Sequence, residues 1–557
     1  MYTLAYTLGV DYGTQSGRVV LLDLLRAEEI AVAVVPYAHG VIDDVLPTTK
    51  AKLPPDWALQ HPLDYIDVLE QGVPQVIKQA GIHPHDVIGL GVDFTSCTVL
   101  PVRGDGTPLC TEAAWRDRPH AWPKLWKHHS AQQIADRINH LAQERGESFL
   151  TRYGGRISSE WYFPKLLEVF ESDRDVYDAC DAFVEATDWI VWYLTGHVCR
   201  NSCTAGYKAM WSEEEGLPDA AFFAAVNPDF TAPWAKLGKD FYPLGTKAGF
   251  IVPEIASKLG LSDAVAVAVG NVDAMVAVPA VGVNQPGSLV MVMGTSICHL
   301  ALTVDEVRLP GITGVVKDGV LPGLYGYEAG QAAVGDMFEW FVKKAVPQHE
   351  YEQAVANNQS IYEYLESQAA KLRPGEHGLM AFDWWNGNRS ILGDADLSGM
   401  IFGLTLATEA HHIYRALLEA TALGTKRIVD NLAEHGIVLQ ELVACGGLPQ
   451  KSPLLMQIYA DICGLPVIVR DSKEIPARGA AMFGAVAAGE KAGGYASIHA
   501  ATEALAAPVL TRYEPDAGSQ QIYAQIYQIY RHLHTVLGED NVDLFHTLKK
   551  IRVQASL

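Results

Sequence analysis

Two stretches with the same layout, about 280 residues apart, constrain this chain more than any other feature. Leu8-Gly9-Val10-Asp11-Tyr12-Gly13-Thr14 is an apolar strand pattern running into a small turn, and Arg18 to Leu24 is apolar again. Val290-Met291-Val292-Met293-Gly294-Thr295 repeats that order, with Ile297 to Leu302 as the return strand. Each reads as a β-hairpin. The same hairpin in both halves points to an internal duplication and hence to two similar α/β domains with a cleft between them. Two unrelated tight turns that need glycine would give the same few letters, so the rest of the chain must decide.

The 557 residues suit two large α/β domains as well as three or four small ones. With 49% apolar and 19% charged residues, the chain can bury large cores. Its net charge of −23 repels polyphosphate backbones and anionic lipid, so neither nucleic acid nor membrane is an expected partner. A small anion such as ATP can still be held where backbone N–H groups and Mg²⁺ set the local field. The eight cysteines are scattered without a CxxC pair and read as reduced thiols of a cytoplasmic protein. Cys199 and Cys203 lack the second ligand pair of a zinc site. Met1 to Tyr6 has no basic segment and does not read as a signal peptide. The longest apolar stretch, Ala264 to Met293, is broken by Asp273, glycines and prolines and does not read as a membrane span.

Between the hairpins the pattern predicts a helix over 62–81 and a buried strand from Val87 to Phe94 that ends on Thr95-Ser96-Cys97. A helix runs from a Thr187 cap to a Gly196 stop. Val265 to Val269 reads as a strand, Gly270 to Asp273 as a turn and Ala274 to Val281 as a helix. After the second hairpin come a helix from His411 to Leu432, a strand from Leu442 to Cys445, and a helix opened by Ser452-Pro453. The Ala/Gly-rich run from Gly479 to Gly489 should pack closely against a neighbour, and Ser519 to Gly538 reads as the final helix.

Four features carry chemistry. In the first turn Gly13, Thr14, Gln15, Ser16 and Gly17 let backbone N–H groups approach phosphate oxygens. Asp11, at its mouth, can hold Mg²⁺ through water, and Arg18 can neutralise charge on a transferred phosphoryl group. The plain alternative is a surface hairpin, and no Lys-Ser/Thr follows to make a Walker A loop. Gly294, Thr295 and Ser296 offer the same cradle from the other half, or merely a tight turn. Gly446-Gly447, at a strand end before a helix, lets backbone lie flat against a nucleotide, or lets a helix pack on a strand. Asp273 sits in an apolar run, where an unpaired carboxylate is costly without a purpose. It reads as a general base or as a helix cap.

In that order the four features resemble the FGGY family of carbohydrate kinases, in the actin/hexokinase/Hsp70 superfamily. Gly399-Met400-Ile401-Phe402-Gly403-Leu404, His412-Ile413 and Leu418-Glu419 resemble its C-terminal signature, and Leu194-Thr195-Gly196 matches as well. Val92-Asp93-Phe94-Thr95-Ser96-Cys97-Thr98, Leu125-Trp126-Lys127-His128-His129, Ile157-Ser158-Ser159-Glu160-Trp161, Glu185-Ala186-Thr187-Asp188-Trp189 and Arg200 through Lys208 are similar to the branch that phosphorylates L-ribulose. The resemblance implies two actin-like (ribonuclease H-like) α/β domains with an interdomain cleft: residues 1–268 binding sugar, 269–495 binding nucleotide, and 496–557 as a helical extension packed on them. It implies ATP-dependent phosphorylation of L-ribulose in L-arabinose catabolism, with Mg²⁺, and a homodimer as the candidate assembly. Asp273 matches the family's base and Asp11 its Mg²⁺-associated carboxylate. Gly13, Thr14, Gln15, Arg18, Gly294, Thr295, Gly335, Gly446, Gly447 and Lys451 fall at nucleotide-facing positions, and Ser96, Lys208 and Glu328 where the ketose would be held. Leu448-Pro449-Gln450-Lys451-Ser452 departs from the Asn or Arg-Ser that other members often place after the Gly-Gly pair. The alternatives are another FGGY substrate, namely D-ribulose, xylulose or a polyol, or an actin- or Hsp70-like nucleotide switch.

Overall fold

The computed structural model describes residues 5–471 and 473–556. The first sheet is built from β1 (Tyr6–Tyr12), β2 (Ser16–Asp23), β3 (Glu28–Pro36), β4 (Val87–Phe94), β5 (Lys247–Phe250), β6 (Ala266–Ala268) and β7 (Asn271–Val272). Its order is β3-β2-β1-β4-β6-β5, with β7 beside the end of β4. β1, β2 and β3 form an antiparallel meander, β1, β4 and β6 run parallel, and β5 closes the edge antiparallel. The second sheet holds β8 (Ser288–Met293), β9 (Ile297–Thr303), β10 (Gly314–Lys317), β11 (Tyr325–Gln331), β12 (Glu441–Cys445), β13 (Val467–Arg470) and β14 (Val509–Tyr513). Its order is β10-β11-β9-β8-β12-β13-β14: β8, β9 and β11 form an antiparallel set like that of the first sheet, with β10 added at its outer edge, and the parallel centre and antiparallel edge strand repeat. The repeated hairpin is therefore one corner of a repeated sheet.

The helices that bear on the site are α1 (Pro62–Ala80), α2 (Ala186–Thr195), α3 (Ser202–Lys208), α4 (Asp273–Ala280), α5 (Gly335–Ala345), α6 (Ala410–Glu434), α7 (Gly447–Lys451) and α8 (Ile475–Ala488). Two more, α9 (Ala517–Thr535) and α10 (Asp543–Ser556), form the C-terminal extension. α1 and α2 cover the first sheet, α6 the second. A third apolar cluster lies between the sheets. It joins Leu22 and Ala266 of the first sheet to Val290, Leu300 and Val443 of the second through Met275 and Val276 of α4 and Ala481 and Met482 of α8.

The Ala/Gly-rich run is α8, and its neighbour is the first sheet, although α8 follows the second sheet in sequence. A Cβ at Gly9 would lie 1.7 Å from the Ala477 carbonyl oxygen, one at Gly91 2.0 Å from that of Ala480, and one at Gly89 2.1 Å from that of Gly484. These are backbone contacts, so no side chain can move aside. On another face, a Cβ at Gly479 would lie 2.1 Å from the Val276 carbonyl oxygen in α4. α8 is pressed between the lobes wherever glycine removes the obstacle.

Four sequence boundaries change. Leu4 lies outside the described residues, and the first strand continues through Asp11 and Tyr12, because the ladder Asp11↔Arg18 and Tyr12↔Gly17 stays paired. The turn shrinks to Gly13–Gln15. Asn271–Val272 is a strand and not a turn, since both pair with the end of β4, and α4 begins on Asp273 itself. α2 is capped at Glu185, not Thr187, whose hydroxyl instead accepts the Asn271 N–H at 3.1 Å. α9 begins at Ala517, and α10 follows it, so 519–538 is not the last helix. Gly196 does stop α2, in the left-handed conformation with φ 71°.

Gly91→Val should destabilise the protein by about 3 kcal/mol or more, because the added atoms meet helix backbone. Gly81→Ala, where φ is 65° but a Cβ meets nothing within 4 Å, should cost only about 1 kcal/mol. Thermal unfolding of both variants checks the contrast.

Candidate active site

Asp11 closes β1 and lies opposite Arg18 in β2 and Asp93 in β4. The Arg18 guanidinium is 3.5 Å from Asp11 and 3.1 Å from Glu474, the residue preceding α8. The second lobe thus reaches across to hold the arginine of the first hairpin. The turn itself is braced from below. The Gln60 amide donates to the Thr14 carbonyl at 2.9 Å, and the Trp126 indole N–H donates to the Thr14 hydroxyl oxygen at 3.1 Å. That hydroxyl keeps its own proton for an oxygen in the cleft. Gly13 and Gln15 contribute backbone only to the brace: Gly13 N–H donates to Ser16 at 3.1 Å and Gln15 C=O accepts from Tyr37 at 3.0 Å.

Asp273 opens α4 at the inner end of the cleft, and one carboxylate oxygen accepts its neighbour's Ala274 N–H at 2.7 Å. Burial, then the charge of Asp11, pushes its carboxyl up to about 7. Asp11 is itself raised by burial, opposed by Arg18. Asp93 is raised well above the carboxylate range, by burial first and then by Asp11 and Asp273. It is fully buried, and apart from the Asp11 carboxyl beside it neither of its oxygens meets a donor among the described residues. Such a carboxyl is satisfied either by a proton shared with Asp11 or by a cation. The orphaned Asp93 beside Asp11 therefore fits an oxygen-liganded divalent ion.

Lys208, at the end of α3, meets Glu328 of β11 at 2.9 Å across the lobe boundary. Burial works against the ammonium, but Glu328 outweighs it and holds Lys208 above its ordinary range. Ser96 lies past the end of β4, its hydroxyl buried without a partner. The charges of Glu328 and Lys208 are felt at Asp273, which puts the three side chains in one buried neighbourhood.

The second hairpin turn forms a smaller cradle. Val334 N–H donates to Thr295 C=O at 2.8 Å, and Gly335 N–H donates to Gly294 C=O at 3.2 Å, which sets the first turn of α5 on it. A Cβ at Gly335 would lie 2.7 Å from that Gly294 oxygen. Gly446, with φ 99°, sits on Met293, where a Cβ would come within 2.3 Å of its carbonyl oxygen. Gly294 and Gly447 face open space. Lys451 is exposed at the far end of α7, and among the described residues no hydrogen bond or ion pair joins it to the others. Sequence reasoning named the two turns, Asp273, Lys208 and Glu328. It missed Asp93, Trp126 and Glu474. An acid amid the apolar letters of β4 was the available signal for Asp93, the same one that marked Asp273.

Models of two FGGY carbohydrate kinase domains match this chain, the N-terminal one over residues 6–280 and the C-terminal one over 289–488. A protein named ribulokinase from Halalkalibacterium halodurans is 53% identical over 551 residues, covering 99% of this chain and 98% of that one. One of the same name from Anoxybacillus flavithermus is 52% identical over 545 residues, covering 98% and 96%. The fold is shared with a ligand-bound xylulose kinase from Lactobacillus acidophilus, at TM-score 0.78 and 16% identity over 97% of this chain and 100% of that one. A xylulose kinase from Rhodospirillum rubrum gives 0.77 and 22% over 97% and 100%. Two matched domains across two repeated sheets, with an acid-lined cleft between them, make this chain a member of the FGGY family of carbohydrate kinases.

Proposed function

We propose that this ATP-dependent sugar kinase phosphorylates the terminal hydroxyl of L-ribulose, giving the 5-phosphate, the step after isomerisation in L-arabinose use, in the cytoplasm. The observation that carries the reading is Asp273: a carboxylate held near neutrality, beside the Lys208–Glu328 pair, in a chain about half identical to full-length ribulokinases. Asp273 takes the proton from the sugar O5 as that oxygen attacks the γ-phosphorus of ATP. The bond from that phosphorus to the bridging oxygen breaks, and ADP leaves. Arg18 faces the transferred group and offsets its charge, while the two turns present N–H groups and the Thr14 hydroxyl to phosphate oxygens. Lys208, Glu328 and Ser96 hold sugar hydroxyls, which places the attacking oxygen without a search. Asp11 and Asp93 would hold Mg²⁺, which supplies charge neutralisation between the phosphates.

An ADP-release assay over L-ribulose, D-ribulose, xylulose and polyols tests the substrate. L-ribulose should give the highest kcat/KM, and turnover independent of any sugar would sink the kinase assignment for this cleft. Asp273→Asn should lower kcat about 10²–10⁴-fold with ATP binding unchanged.

A base works only when ionised, so kcat/KM should rise with pH through about 7 and level off above it. The limb should shift to lower pH when a divalent cation alone is bound, because positive charge favours the carboxylate. Asp273→Asn should remove that limb.

Asp93→Asn should weaken divalent-ion binding about tenfold or more, read from Mn²⁺ paramagnetic resonance without sugar or turnover. Unchanged Mn²⁺ affinity would leave Asp93 a structural carboxyl.

A further inference from the structure

Arg389 reaches into the cleft from the second lobe, and nothing in the proposed mechanism uses it. Its loop is firmly built. Asn388 and Asp394 exchange backbone hydrogen bonds at 2.8 Å each, and the Asn388 side chain accepts the Leu392 N–H at 2.9 Å. The Ser390 hydroxyl accepts the Gly330 N–H at 3.1 Å, which ties the loop to β11, the strand of Glu328. The stem of Arg389 passes over Gly330: a Cβ there would lie 3.0 Å from the arginine Cδ and 3.6 Å from its Nη1. Glycine at that point is the space the arginine occupies. Across the lobe boundary Arg156 donates to the Gly393 carbonyl, so the first lobe clasps the same loop.

The guanidinium at the end of this support makes no hydrogen bond or ion pair among the described residues. Its charged surroundings are Glu160 of the first lobe and Glu328, with the Cys298 thiol beside it. Lys208 senses Glu328, Glu160 and Arg389, whereas Asp273 senses Asp11, Glu328 and Lys208. Cys298 senses Glu328, Arg389, Asp273 and Lys208. Gly330 and Glu328 stand two residues apart on one face of β11, so the arginine that crosses Gly330 lies beside Glu328 and its partner Lys208.

We propose that Arg389 and Glu160 bind the hydroxyketone end of the sugar, the arginine fork donating to the C2 carbonyl oxygen and Glu160 accepting from the C1 hydroxyl. The inference rests on the reading that the ketose lies between Asp273 and the Lys208–Glu328 pair. With the reacting hydroxyl at Asp273, an open five-carbon ketose turns its other end to Arg389. A planar cation with several donors suits a carbonyl oxygen, which only accepts. Arg389 thereby reads the difference between a ketose and a polyol.

The test is calorimetric titration of the full chain with L-ribulose and with the two pentitols formed by reducing its C2 carbonyl. Arg389→Met should weaken ribulose about 30-fold and the pentitols less than about threefold, the size of a lost charged hydrogen bond. Arg389→Lys should recover part of the ribulose affinity, and the KM for ATP should not move in either variant. Equal losses for ribulose and pentitols, or no loss, would overturn the assignment. Glu160→Gln supplies the same comparison if Arg389→Met does not fold. Lys208→Met separates the two claims. Ribulose binding lost there but unmoved in Arg389→Met overturns the Arg389 inference alone. Ribulose binding unmoved in Lys208→Met sinks the placement of the sugar itself.

Discussion

The backbone of α8 lies directly on the backbone of β1 and β4, and the rest of the site depends on that contact. Gly9, Gly89 and Gly91 clear the sheet face, and the helix carbonyls of Ala477, Ala480 and Gly484 occupy the space. A helix that follows the second sheet in sequence is thereby fixed to the first. The positions of two candidate site residues follow from it. Glu474, just ahead of α8, holds Arg18 over the first turn. Gly479, in α8, lets α4 approach, and α4 begins with Asp273. One close-packed helix sets both Arg18 and Asp273 relative to the hairpin. Close packing of this kind has little slack, so small errors in α8 become misplacement at the site.

Three carboxyls gathered in one buried place oppose folding. Asp93 has no donor among the described residues beyond the Asp11 carboxyl, and the charges of Asp11 and Asp273 repel its ionised form. Replacing them with apolar residues would relieve the strain, in line with the general cost of buried charge. Burial first, and then the charge of Asp11, also raises the Asp273 carboxyl to about 7. The gathered carboxyls also make the cleft a place where positive charge is stabilised, so a cation bound there would return part of the free energy that folding gave up.

The duplication was legible because it lies in short contiguous patterns: a hairpin and its glycine turn survive as letters. Asp273 was legible because an acid stood alone among Val, Ala and Met. Asp93 carried the same signal but sat in a strand that read as simply buried. Contacts between distant residues left no local mark. Trp126 reaches Thr14 over 112 residues, and Glu474 reaches Arg18 over a longer span. Thr187 looked like a cap, since a threonine before a helical run usually is one, yet its hydroxyl holds Asn271 beside β4. Tertiary pairing overrode the local preference there, as it did where β7 replaced an expected turn.

The two ends of the lobe interface differ in what separating them would cost. At its base α4 and α8 join both sheets through apolar side chains and touching backbone, which water cannot replace. Farther along the interface polar contacts stand beside apolar ones: Lys208 meets Glu328, Arg152 meets Glu306, and the Tyr207 hydroxyl donates to the Gly326 carbonyl at 2.8 Å while Tyr207 also packs in the cluster with Val316 and Val320. Water can take over the polar groups, because a buried ion pair gains little net over its hydrated parts, but it cannot replace the apolar contacts. The lobes are therefore held hardest where α4 and α8 lie, and a parting of them that admitted ligands would leave the helix beside Arg18 and Asp273 packed.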